Sequence, residues 1–262
     1  MPEVRATLQA AYYRRLAAVE ARHPWFTGTR RVAGAIIPVL LGRPSGGLRI
    51  LDVGCGTGAT LRWLRRFAGR RPVVGMDLAR GALRFARRGG EPVILASAEA
   101  LPFRKGRFDL LYCADVIQHL PAPARTRAYR EFARVLRPGG VVLLRANRAT
   151  GAPEAARPGY PAFDYRTVPA ELEEAGLTPV LVGTLALLSG LAARWRRGAG
   201  GGWQHQGLAL RPLTGLARPL GWVIGLTFWL EALAFRLRRR LPARGGASSL
   251  VAALKVVPFE RA

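Results

Sequence analysis

Residues 50–61 read ILDVGCGTGATL. An apolar run meets three glycines and passes at once into a helix pattern. A strand that must become a helix within one short loop, through residues free to take left-handed backbone, belongs to folds that alternate strand and helix. The alternation continues. LRILDV has the continuous apolar character of a strand buried on both faces, and GATLRWLRRFA (58–68) follows as a helix. PVVGMD, PVILA, RFDLLYCAD and VVLLRAN read as further strands. LARGALRFARRG is a helix ending on glycines, and residues 122–136 form another, stopped by a turn at Arg137-Pro138-Gly139-Gly140. TVPAELEEA is a short helix closed by Gly176, LTPVLVG a strand, and ASSLVAALKVV (247–257) a final strand. This predicts an α/β, doubly wound sheet.

Four segments follow. Residues 1–46 form an N-terminal helical cap, 47–183 the core, 184–246 an apolar and basic helical insertion, and 247–262 the last strand and tail. Inside the cap, TRRVAGAIIPVLL (29–41) is too short to span a bilayer and reads as a helix over the sheet edge. The first residues have no apolar core of the kind a secretory leader carries.

The chain has 262 residues, with 41 Lys and Arg against 16 Asp and Glu, for a net charge of +25. Only Lys105 and Lys255 are lysines. Such a charge suits nucleic acid, a membrane surface or acidic substrates, although heavy Ala, Gly, Arg and Pro usage throughout also accounts for it. Two cysteines, Cys55 and Cys113, are too few for a disulfide framework and fit a reducing cytoplasm.

The glycine loop admits two ligands. Gly54-x-Gly56-x-x-Ala59 satisfies the dinucleotide fingerprint, which would make the chain a nicotinamide-dependent oxidoreductase. Gly58 also makes it G-x-G-x-G, and Asp52 stands two residues ahead. A carboxylate there repels a pyrophosphate but favours a ligand with an ammonium and a sulfonium, S-adenosylmethionine (SAM). A hydride relay of the Tyr-x-x-x-Lys kind is missing, since neither lysine lies four residues after a tyrosine.

LDVGCGTG (51–58), VVGMD (73–77), SAEALPF (97–103), FDLLYCADVIQHL (108–120) and RVLRPGGVVLL (134–144) occur in one order across residues 48–146. In these the chain resembles the class I SAM-dependent methyltransferases, in particular the broad type 11 group that includes quinone-modifying enzymes. ARHPWFTGTRR also resembles a segment ahead of the first strand in some relatives. The resemblance implies a Rossmann-like sheet of seven strands with the last antiparallel. It implies that Asp52 and the backbone of Gly54, Cys55, Gly56 and Gly58 hold the methionine part of SAM, and that Asp77, followed by Leu78, accepts the ribose hydroxyls. Ser97, Ala98 and Glu99 match the adenine-side loop, with Ser97 where the family commonly has Asp. Ala114 ends the fourth strand beside the cofactor, and Asp115 and His119 sit just beyond as candidate catalytic bases. His23, Asp164 and Tyr165 are weaker candidates. S-adenosylhomocysteine (SAH) is the expected product, and no metal is expected.

Methyl transfer needs a base only where the acceptor must lose a proton. The Asn/Asp-Pro-Pro-aromatic motif of nucleobase N-methylation is replaced by Cys113-Ala114-Asp115-Val116, and the Pro-Cys pair of cytosine C5 chemistry is missing. The expected acceptor is therefore a small molecule, at an O or C atom of a lipophilic, lipid-linked or glycosylated metabolite. An RNA methyltransferase or basic RNA-binding protein is the alternative, and nucleic acid is not the expected partner. In the insertion, Thr227, Glu231, Ala234 and Arg238 fall on one narrow polar stripe of an otherwise apolar helix that ends in RLRRR. Three readings follow for 212–245: a lid or core helix, contact with an anionic membrane surface, or a homodimer interface. A cytoplasmic protein, with or without membrane association, is expected.

Overall fold

The structure is a computed structural model that describes residues 2–42, 44–147, 163–185, 226, 228–235 and 248–255. Seven strands lie in one sheet: β1 (Ile50–Val53), β2 (Val73–Asp77), β3 (Val93–Leu95), β4 (Phe108–Ala114), β5 (Leu136–Asn147), β6 (Thr178–Leu185) and β7 (Ser248–Leu254). Their order is β3-β2-β1-β4-β5-β7-β6. β1 to β5 run parallel, and β7 is antiparallel to both β5 and β6. The chain winds outward from β1 to β3 and then restarts at β4 on the other side. That reversal opens a crevice at the carboxyl ends of β1 and β4, where such sheets bind ligands.

Among the described residues the sheet is flanked by α1 (Pro2–Val19), α2 (Pro24–Leu41), α3 (Ala59–Ala68), α4 (Arg80–Ala86), α5 (Ala122–Val135) and α6 (Val168–Glu174), besides the helical stretch at 228–235. Alternating strand residues serve opposite layers, as the two-residue period requires. Ile50, Leu110, Tyr112, Val141 and Leu143 pack with α2 and α3 on one face. Leu51, Val53, Leu111, Cys113, Val142 and Leu144 pack with α5 and α6 on the other. The Arg137–Gly140 stretch, expected as a turn, lies inside β5. Its Gly139 takes φ 70° and donates to Lys255 O at 2.8 Å, so this stretch bonds to the chain just past the end of β7, the strand that lies between β5 and β6.

Residues 228–235 are helical. Glu231 faces inward at 7% exposure, with Phe228, Ala232 and Phe235 in the same core as β1. Leu226, Trp229, Leu230 and Leu233 are exposed, as is Ala234 of the stripe. The anchor is Phe228, which stacks edge-on against Trp25 at 5.6 Å. It fills the hollow over Gly28, where a β-carbon would lie 2.0 Å from its ring. Of the stripe expected to be polar, Thr227 and Arg238 lie outside the described side chains.

Candidate active site

The loop after β1 is built by its glycines. Gly54, Gly56 and Gly58 all take positive φ (74°, 54° and 86°). A β-carbon on Gly54 would collide with Val116 of the loop after β4, at 2.1 Å. One on Gly56 would meet nothing within 4 Å, so open space lies above that residue for a ligand to approach the backbone. Gly54 N and Cys55 N both donate to Met76 O, which fastens the loop to β2.

Asp52 is 2% exposed, and its Oδ2 is buried without a hydrogen-bond partner. Burial, then the neighbouring negative charges of Glu20 and Asp77, hold its carboxyl well above the ordinary carboxylate range. A buried orphan carboxylate oxygen is costly alone and well matched to a cation. Asp77, at the end of β2, accepts from Gly56 N (2.9 Å) through Oδ2 and from Ala79 N (2.8 Å) through Oδ1. It therefore braces the glycine loop as well as standing where ribose hydroxyls are expected. Leu78 beside it is 65% exposed. Across the crevice Ala98 is buried, and Ser97 Oγ accepts from Glu99 N at 3.2 Å. The Glu99 carboxylate is turned away onto Arg127 of α5.

The N-terminal helices close the crevice. Glu20, just past α1, is buried and accepts from the Thr57 hydroxyl of the glycine loop. Arg30 of α2 donates through Nη2 to Glu20 O at 2.9 Å and Ala21 O at 3.4 Å. His23 caps α2, its Nδ1 accepting from Trp25 N, and burial pushes its pKa down. Neither Glu20 nor Arg30 stood out in the sequence.

At the end of β4, half-buried Ala114 leads into Asp115, which has φ 59°, unusual outside glycine. Its N–H donates to Arg145 O at 2.8 Å, and its Oδ2 accepts from Arg145 Nη2 of β5. Asp115 Oδ1 stays buried without a partner, as do Arg145 Nε and Nη1 and Gln118 Oε1. His119, in the short turn after β4, is exposed. Asp164 pairs with Arg166 at 3.0 Å, and its neighbour Tyr165 accepts from Val168 N through its carbonyl at 3.3 Å. Both thiols are buried, and burial raises their pKa, which makes each an inert filler.

Residues 51–144 match the family model described as a methyltransferase domain. These residues, 51–144, carry a methyltransferase domain of the class I, SAM-dependent kind. The chain is 39% identical over 104 residues to methyltransferase GfsG of Streptomyces halstedii, covering 37% of this chain and 36% of that protein. It is 39% identical over 108 residues to a ubiquinone biosynthesis O-methyltransferase of Ralstonia nicotianae, covering 38% of this chain and 44% of that one. It is 30% identical over 129 residues to a tRNA (carboxymethyluridine(34)-5-O)-methyltransferase of Arabidopsis thaliana, covering 48% and 30%. The chain thus spans less than half the length of these curated relatives. Among solved structures it resembles a Haemonchus contortus phosphoethanolamine N-methyltransferase complexed with SAH (TM-score 0.55, 18% identity, 86% of this chain and 52% of that one). It also resembles the [4+2]-cyclase SpnF (TM-score 0.53, 21% identity, 86% and 81%). These likenesses show the fold alone. The family's cofactor is SAM, and the orphan Asp52 oxygen with the open space over Gly56 fits its ammonium and backbone-hugging methionine part. The domain match removes the nicotinamide reading. Among the described residues, no group of three or more His, Cys, Asp and Glu could hold a metal ion.

Proposed function

We propose that the chain transfers a methyl group from SAM to an oxygen or carbon of a small, lipophilic, lipid-linked or glycosylated acceptor. The observation that carries this is the buried carboxylate of Asp52, its Oδ2 without a partner, beside a glycine loop with open space above Gly56. Asp52 would hold the ammonium, the amides of the loop the carboxylate, and Asp77 the ribose hydroxyls. Bound there, the cofactor supplies an electrophilic methyl group. The chain supplies position, which provides much of the acceleration in such displacements. Asp115 Oδ1, at the tip of β4, would receive the proton that a hydroxyl acceptor loses. His119 would serve a similar role only for an acceptor reaching to the surface.

The lipophilic reading draws on the exposed row of Leu226, Trp229, Leu230 and Leu233, which is followed in sequence by Arg236, Arg238, Arg239 and Arg240. Apolar residues with tryptophan, bordered by arginines, suit an anionic membrane surface. Among the described residues no helix is long and apolar enough to cross a membrane, so contact would be peripheral. Two unpaired thiols suit a reducing cytoplasm. Co-sedimentation with phosphatidylglycerol vesicles should fall severalfold in a Trp229→Ser, Leu233→Ser double variant. Unchanged sedimentation with a shift from dimer to monomer would assign the row to self-association instead.

The deciding assay incubates the protein with methyl-labelled SAM and a lysate of its source cells, then partitions the label. Heat-killed protein and Asp77→Ala are the controls. Label in the organic phase supports this reading. Aqueous label removed by ribonuclease supports the second one, RNA methylation, which rests on the +25 charge and on the tRNA methyltransferases among the relatives.

A further inference from the structure

Arg145 is the anomaly of the crevice. It is 4% exposed, yet Nε and Nη1 have no partner and only Nη2 is engaged, with Asp115. A guanidinium has five donors in a planar fork, and burying it half-satisfied is unfavourable unless something completes it. A second guanidinium lies near. Arg145 helps to lower the pKa of Arg30, and both guanidiniums pull down that of Tyr112, which burial nonetheless pushes up to about 12. Like charges brought together out of water prepare a place for an anion.

The place is on the acceptor's side. Strand order puts β4 between β1 and β5, so Arg145 stands roughly 10 Å from the glycine-loop strand at the usual strand spacing. Arg30 is the guanidinium that Asp52 feels; Arg145 is bonded to Asp115. Because Arg145 Nη2 holds Asp115 Oδ2, the orphan acceptor Oδ1 and the orphan donors Nε and Nη1 belong to one buried ion pair. Resting on the methyltransferase reading above, we infer that Arg145 binds a carboxylate carried by the acceptor next to the hydroxyl that Asp115 Oδ1 receives. The substrate class is a hydroxy acid, with the carboxylate on Arg145 and the adjacent O–H donating to Asp115.

Salicylate, with a hydroxyl beside a carboxylate, and salicylamide, its neutral counterpart, are the probes, titrated calorimetrically into the full chain saturated with SAH. Wild-type protein should bind salicylate at least tenfold more tightly than salicylamide. Arg145→Gln should abolish that preference while SAH affinity stays within about threefold of wild type. Arg145→Lys keeps the charge without the fork and should weaken salicylate five- to tenfold; it carries the test if Arg145→Gln does not fold. Equal binding of the two probes by wild type overturns the inference. So does a tenfold loss of SAH affinity in Arg145→Gln, which would assign Arg145 to the methionine carboxylate, or unchanged salicylate binding in Arg145→Lys. A wild-type chain that binds no SAH breaks the methyltransferase reading instead.

Discussion

The two ends of the sheet treat buried charge in opposite ways. At the amino ends of β1 and β4, Asp109 accepts from Arg49 N and Nε at 2.7 and 3.0 Å through Oδ2. Its Oδ1 accepts from Arg49 Nη2 at 3.0 Å and from Arg137 Nε at 2.5 Å. Every lone pair is used. Burial pushes its pKa up, but the bonds from Arg49 and Arg137 prevail and hold it at about 2. At the carboxyl ends, Asp52, Asp115 and Arg145 each keep a buried atom without a partner. The same residue types serve as a fastening below and as an unfinished socket above, and the unfinished end is where a ligand gains most from binding.

The largest effect that would break this contrast is at the socket. Asp77→Ala removes a carboxylate from both ribose and loop, and SAH affinity should fall about 100-fold, as expected for two charge-assisted hydrogen bonds; calorimetry measures it. Gly28→Ala comes next. Its β-carbon would overlap the Phe228 ring, so thermal unfolding should show a loss of about 2–3 kcal/mol, the upper range for overpacking. Asp109→Asn should cost about 2 kcal/mol in urea unfolding while SAH affinity stays within about twofold.

The two aspartates should also respond oppositely to pH. The folded value of Asp109 lies below its ordinary value, so its contribution is present above about pH 4 and lost as pH falls toward 2. Asp52 is raised, so the ligand-free protein loses stability as pH rises from the carboxylate range through the raised value. Asp52→Asn should remove that second slope and weaken SAH about tenfold. The smallest effect is at the thiols: iodoacetamide should leave Cys55 and Cys113 unmodified in native protein by mass spectrometry, because burial keeps both protonated.

What the sequence disclosed follows from range along the chain. The glycine loop, Asp52 and Asp77 are legible because strand, turn and helix signals adjoin, and their spacing is local. Arg145 sits in VVLLRAN and looks like any residue of a strand until its partner, thirty positions earlier, is placed beside it. Glu20 and Thr57 meet only through the fold. Glu231 shares a stripe with Thr227, Ala234 and Arg238, but helical periodicity gives a face and not which way it points. Phe228 settles that by filling the hollow over Gly28 of α2, and Phe235 is buried in the same core. The Arg137–Gly140 stretch had turn chemistry, yet bonding to the chain just past the end of β7 draws it into the strand.

The seat of Phe228 on Gly28 has a consequence for biosynthesis. The ring that fills α2 emerges from the ribosome only after nearly the whole sheet has been made, and β7, which completes β5, comes later still. Until then α2 presents an open apolar hollow to the cell. Closing contacts so remote along the chain is slow, and the nascent cap spends that interval as a natural target for chaperones.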